Sequence, residues 1–175
     1  MPGRLARDIK QSKPFFSTRL EVYFNLLRAT DLLSRHTSEL LKPFDLSGPQ
    51  YNVLRILRGA AGADPSGTTQ VGSNPAGSNL VRALPCKEIG ARLIAHDPDI
   101  TRLLDRLEKR GLVQRTPGQA DRRVRLVQIT AAGSALVESC DLDRRLTEAL
   151  APHFAAFSAP DHQTLISLLE HLSHA

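Results

Sequence analysis

The sequence predicts a mostly α-helical chain with one small antiparallel β element. Three observations carry that expectation. Apolar residues recur at helical spacing through most of residues 18–58, 86–107 and 136–172. Two β-branched-rich runs, Leu112–Thr116 and Val124–Ile129, flank Pro117-Gly118-Gln119-Ala120-Asp121, which has the composition of a hairpin loop. Positive charge gathers on the same stretch. From Arg102 to Arg125 there are eight basic and three acidic residues, an excess of five that equals the formal net charge of +5 of all 175 residues.

In chain order, residues 1–17 read as a flexible basic arm: Arg4, Arg7, Asp8, Lys10 and Lys13 leave little to bury. Thr18–Lys42 reads as one long helix. Thr18-x-x-Glu21 has the form of a capping box, and Pro43 closes the run. Leu26, Leu33 and Leu40 fall seven apart, flanked by Leu20, Tyr23, Phe24 and Leu27. Apolar residues on more than one face predict packing on the helix's own domain and on a partner chain. Ser47-Gly48-Pro49-Gln50 repeats the capping pattern, and Gly59 is the expected end of the helix that follows.

Residues 59–79 contain five glycines and two prolines and few apolar residues except Val71. Such a composition cannot bury a core, so a flexible insertion is expected. Leu80–Leu84 suits a short strand. Cys86–Ile94 reads as a short helix with Ile89 and Leu93 inward and Pro85 at its first position. In Asp97–Arg110, residues Ile100, Leu103, Leu104 and Leu107 form one apolar stripe, with Thr101, Arg102, Asp105, Arg106 and Lys109 opposite. Asp97 is the expected N-cap, Pro98 the first helical residue, and Gly111 the C-terminal stop. Thr130 caps the next helix, Asp141–Asp143 kink it, and Pro152 ends or bends it. Ser158-x-x-Asp161 with Pro160 opens a last helix. Its Leu165, Ile166, Leu168, Leu169 and Leu172 are too apolar to face solvent alone, which predicts a symmetric dimer.

A short helix, a turn, a second helix with a basic outer face and then a β-hairpin make a winged helix-turn-helix. The expected organisation is that unit over 45–133, interrupted by the insertion, with dimerisation helices over 18–44 and 134–175. The cationic face predicts a polyanionic partner, double-stranded DNA.

Asp99-Ile100-Thr101-Arg102-Leu103-Leu104-Asp105-Arg106-Leu107-Glu108-Lys109-Arg110-Gly111-Leu112-Val113, then Asp121-Arg122-Arg123, then Ile129-Thr130-Ala131-Ala132-Gly133, together resemble the MarR (multiple antibiotic resistance regulator) family. The likeness covers about Leu46–Arg58 and Leu84–Gly133; the outer helices agree in pattern only. It implies a homodimeric transcriptional repressor or activator on a pseudo-palindromic operator, often relieved by a small effector, here a phenolic or aromatic one. The expected DNA-binding residues are Asp99, Thr101, Arg102 and Arg106 of the second helix with Gln119, Arg122 and Arg123 of the wing. Asp121 is expected to orient a wing arginine.

Other functions are weighed against this one. The sequence has no glycine-rich phosphate loop, no G-x-S-x-G, no H-E-x-x-H and no cysteine quartet, so no catalytic residues and no enzyme are expected. A winged-helix interaction module would use the same fold without DNA. Cys86 reads first as a small packed residue; a thiol-based sensor is the alternative, since a place near a helix N-terminus beside Lys87 could lower its pKa. The resemblance counts against that reading, because the family's peroxide-sensing branch keeps its reactive cysteine in the first helix, where this chain has none. His36 reads as a lone helical histidine, at the surface or satisfied in the core, with a ligand-sensing role as the alternative. His171 and His174 lack a third ligand, so no metal and no cofactor are expected. No long apolar run and no secretory signal are present, and two cysteines suit a reducing cytoplasm.

Overall fold

The computed structural model describes residues 4–61, 83–94, 99–118 and 123–174. Helices α1 (Arg4–Asp8), α2 (Thr18–Leu41) and α3 (Gly48–Ala61) come first. Strand β1 (Leu84–Pro85), helices α4 (Cys86–Ala91) and α5 (Ile100–Lys109), and strands β2 (Val113–Pro117) and β3 (Arg125–Ile129) follow. Helices α6 (Ala131–Cys140), α7 (Leu142–Phe154) and α8 (Ala159–Ser173) end the chain. The fold is mostly helical with a three-stranded antiparallel sheet in the order β1-β3-β2, as the sequence predicts. The expected insertion over 59–79 lies largely outside the described residues.

Two compact units form, Met1–His36 with Asp143–Ala175, and Thr37–Leu142. The breaks fall inside α2 and at the start of α7, not at the expected 44/45 and 133/134.

In the central unit, the core is built from the stripes read in the sequence. Val53, Leu54 and Leu57 of α3, Ile89 of α4, Leu104 and Leu107 of α5, and Val127 of β3 are fully enclosed. Each such side chain contributes roughly 1.5–3 kcal/mol over its exposed state. Ser47 and Gln50 form the expected reciprocal cap: the Ser47 N–H donates to Gln50 Oε1 (2.8 Å) and the Gln50 N–H donates to Ser47 Oγ (3.4 Å). Gly59 does not end α3, which runs on to Ala61. Burial of Leu57 and Ala60 on either side outweighs the ~1 kcal/mol that glycine costs inside a helix.

Register fixes the wing. Val113 pairs with Ile129, Arg115 with Val127, and Pro117 with Arg125, while Leu84 of β1 also pairs with Val127. Pro85 belongs to β1 and is the N-cap of α4 rather than its first residue, and α4 stops at Ala91, short of the expected Ile94. Ile94 is consequently exposed, and Leu93 is only half-buried. Thr130 caps α6 as expected, its Oγ1 accepting from the Gly133 N–H (3.1 Å). The same hydroxyl donates to the Gly111 carbonyl (2.7 Å), tying α6 to the end of α5. Asp141 adopts φ 42°, so the chain breaks there into two helices rather than kinking one.

In the terminal unit, the basic arm expected over 1–17 is corrected. Residues 4–8 form a helical turn with Leu5 and Ala6 buried, and Asp8 pairs with Arg28 of α2 at 3.3 Å. Ser17, not Thr18, caps α2, accepting from the Leu20 N–H at 3.2 Å. Pro152 lies within α7, which ends two residues later. Ser158 and Asp161 form the expected capping box of α8. Hydrogen bonds from the Ser158 hydroxyl and N–H hold the Asp161 carboxyl below its usual range. Little else in this unit is covered. Tyr23 and Leu27 of α2, and Ile166, Leu168 and Leu172 of α8, are all about half exposed or more.

Candidate nucleic-acid interface

Helix α5 sits where its sequence divides it. Leu103, Leu104 and Leu107 point into the core, which leaves Thr101, Arg102 and Arg106 on the solvent face. The cap is Asp99 rather than Asp97: its Oδ1 accepts from the Arg102 N–H at 3.2 Å. Asp97 and Pro98 lie outside the described residues. The second Asp99 oxygen receives the Arg102 side chain, Nε to Oδ2 3.1 Å, while that side chain remains 80% exposed. Asp99 therefore starts the helix and directs the first outward arginine. Gly111 takes φ +69°, the left-handed conformation its position after the C-cap requires.

Two arginines counted in the basic cluster do something else. Arg115 on β2 is 19% exposed and folds back on α5. Its Nε donates to Glu108 Oε2 (2.8 Å), its backbone N–H to Glu108 Oε1 (3.0 Å), and its other guanidinium nitrogen reaches Asp105. Hydrogen bonds to Glu108 and then to Asp105 raise its pKa further. Arg110, at the end of α5, donates to the backbone carbonyls of Phe44 (3.0 Å) and Asp45 ahead of α3. These contacts fix the orientation of α5 against the wing and against α3. Sequence reading misses both roles, since spacing alone cannot tell a bracing arginine from a solvent-facing one. The one available signal is Asp105 and Glu108 on the otherwise cationic face.

At the wing, Arg123 and Arg125 are exposed, and the Gly118 N–H closes the hairpin onto the Val124 carbonyl (2.8 Å). Gln119, Asp121 and Arg122 lie outside the described residues. Cys86 is half-buried, and its thiol donates to the Arg125 carbonyl at 3.5 Å. Burial pushes its pKa up, and the nearby Arg115 only partly opposes this. This goes against the thiol-sensing alternative and agrees with a packed Cys86: desolvation outweighs the neighbouring charge.

The MarR family model matches residues 82–124, the stretch just described. The multiple antibiotic resistance protein MarR of Escherichia coli K12 is 33% identical over 122 residues, 66% of this chain and 70% of that protein. The chain belongs to the MarR family. A MarR transcription factor from Planctomyces limnophilus is 33% identical, with a TM-score of 0.60 over 89% of this chain and 98% of that one. A point mutant of E. coli MarR, with one cysteine replaced by serine and solved with operator DNA, is 25% identical with a TM-score of 0.66 over 91% of this chain and 99% of that one. This MarR-family chain is a DNA-binding winged-helix transcription regulator, and regulators of this family are generally not enzymes. Among the described residues, no helix is long and apolar enough to cross a membrane.

Proposed function

We propose that this regulator is a homodimeric, ligand-responsive repressor that reads a pseudo-palindromic operator. The observation that carries this reading is the outward face of α5, braced by Arg110 and Arg115 so that Thr101, Arg102 and Arg106 project together. In a major groove, an arginine pairing with guanine discriminates by ~1–3 kcal/mol. Asp99 acts through Arg102, by holding it. Gln119, Arg122 and Arg123 take the adjacent minor groove, with Asp121 orienting an arginine. Arg102→Ala and Arg106→Ala are each expected to relax base preference at particular operator positions in duplexes selected by the purified protein. Arg123→Ala is expected to weaken binding mainly through loss of the preference for A·T flanks. Selected sequences unchanged in all three variants would favour a protein-interaction module instead.

The half-exposed leucines of α2 and α8 support the dimer. A C₂ pair would present two α5 helices about one DNA turn apart, roughly 34 Å. Leu168→Glu with Leu172→Glu should turn a dimer into a monomer by light scattering; a wild-type chain that is monomeric at micromolar concentration would refute this. The effector, a small phenolic or aromatic compound by family resemblance, must bind the DNA-free form more tightly than the bound one. Equal affinity for the two forms would exclude it as the inducer.

A further inference from the structure

The terminal unit contains a pair of imidazoles that DNA recognition does not use. His36 of α2 and His153 of α7 are 117 residues apart in sequence, yet their Nε2 atoms meet at 3.0 Å. Their ring centroids lie 5.0 Å apart with the planes at 59°. His36 is therefore satisfied by a second imidazole, a partner that its place in the sequence does not show. In the neutral pair one Nε2–H donates and the other Nε2 accepts, so a single proton sits between two nitrogen donors.

We propose that His36 and His153 bind a divalent first-row transition-metal ion, with water filling its other positions. The geometry suits such an ion. With metal–nitrogen bonds of about 2.0–2.1 Å, two donors 3.0 Å apart subtend roughly a right angle at the metal, the value for adjacent octahedral or square-planar positions. Widening by a few tenths of an ångström gives the tetrahedral angle. His36 is half-buried and His153 exposed, so both rings can turn their lone pairs toward a common point and water can reach the ion. Imidazole selects the cation class: Cu²⁺, Ni²⁺ and Zn²⁺ bind, whereas Mg²⁺ and Ca²⁺ prefer oxygen. Among the described residues, no group of three or more His, Cys, Asp or Glu side chains converges. Among the described residues the site is therefore a two-imidazole chelate completed by water.

It is distinct from His171 and His174, the pair that sequence spacing suggests. His171 Nδ1 bonds its own helix at the Ser167 carbonyl (2.8 Å), and His174 Nδ1 meets the Ser173 hydroxyl (3.1 Å).

The test titrates the full chain with CuCl₂ and, separately, ZnCl₂, using MgCl₂ as a control. Electron paramagnetic resonance counts the nitrogens bound to copper. The expected result is one Cu²⁺ per chain with two equatorial imidazole nitrogens. His36→Gln and His153→Gln should each lower affinity at least tenfold and remove one nitrogen, whereas His171→Gln should bind as wild type. Both rings face solvent in part, so circular dichroism of the variants should match wild type. His153→Cys supplies a second check, because a thiolate should restore Zn²⁺ binding where glutamine does not. Unchanged affinity and nitrogen count in the His36 and His153 variants, or loss of the site in His171→Gln, would overturn the proposal.

Discussion

Gly133→Ala is expected to destabilise the protein by about 2–3 kcal/mol, the upper part of the overpacking range, and to lower its Tm by roughly 5–10 °C. Gly133 lies in the first turn of α6, directly over the chain leaving α5. A Cβ there would land on the Leu112 carbonyl oxygen and within 2.8 Å of Ile129 Cγ1. The obstructing atom is backbone, and Leu112 precedes β2, so relief would move the strand. The Leu112 carbonyl also accepts from the Thr130 N–H at 3.1 Å, so it is pinned from a second side. Gly59→Ala is the control. A methyl group there meets nothing within 4 Å inside α3, and helix propensity predicts a gain of about 0.5–1 kcal/mol. Thermal and urea unfolding followed by circular dichroism read both. Equal stabilities for the two variants would show that α6 does not press on the end of α5 as described.

Arg115→Ala is expected to weaken duplex binding about tenfold, although Arg115 is turned toward α5. It removes the hydrogen bonds to Glu108 and Asp105, leaving two carboxylates three residues apart on one helix without their common cation. Because Asp105 and Glu108 are themselves partly exposed, the loss of stability is discounted to about 1–2 kcal/mol. Binding should fall further than stability, because α5 can tilt and negative charge is uncovered beside the outward arginines. Anisotropy titration of a selected duplex, run beside a urea denaturation curve, separates the two effects. Arg115→Gln with Glu108→Gln should recover part of the affinity, since the two amides can still hydrogen-bond and only Asp105 is left without its cation. An Arg115→Ala variant that binds as wild type would refute the bracing role.

Much of the fold and part of the interface are legible in the sequence, for identifiable reasons. The α5 stripe is readable because Leu103, Leu104 and Leu107 share one face and Gly111 is a strong stop. The caps at Ser47, Thr130 and Ser158 are readable because their partners lie three residues away. Asp97 and Asp99 are both good caps and Pro98 suits a first helical turn, so nothing local separates the two. Gly59 is a poor guide to the end of α3 because tertiary burial overrides propensity. Contacts between distant residues are not legible at all. Leu5 is buried and Asp8 reaches Arg28 only once the chain turns back on α2, and the meeting of His36 with His153 depends on how α2 packs against α7. Arg110 and Arg115 count as part of a DNA-facing cluster in the sequence because composition assigns charge to a stretch, not to a side of it.

Reading of duplex DNA by the α5 and wing surface is tested by the salt dependence of binding. Wild type should bind a selected duplex with log K falling linearly in log salt, at a slope of about −0.9 for each phosphate neutralised. Its preference over a scrambled duplex of the same composition should persist along that line. Arg102→Ala with Arg106→Ala should lose the preference while keeping most of the slope, because the other cations of the surface are retained. Wild-type binding that does not change with salt, or a double variant that still discriminates as wild type does, would show that this surface does not read DNA.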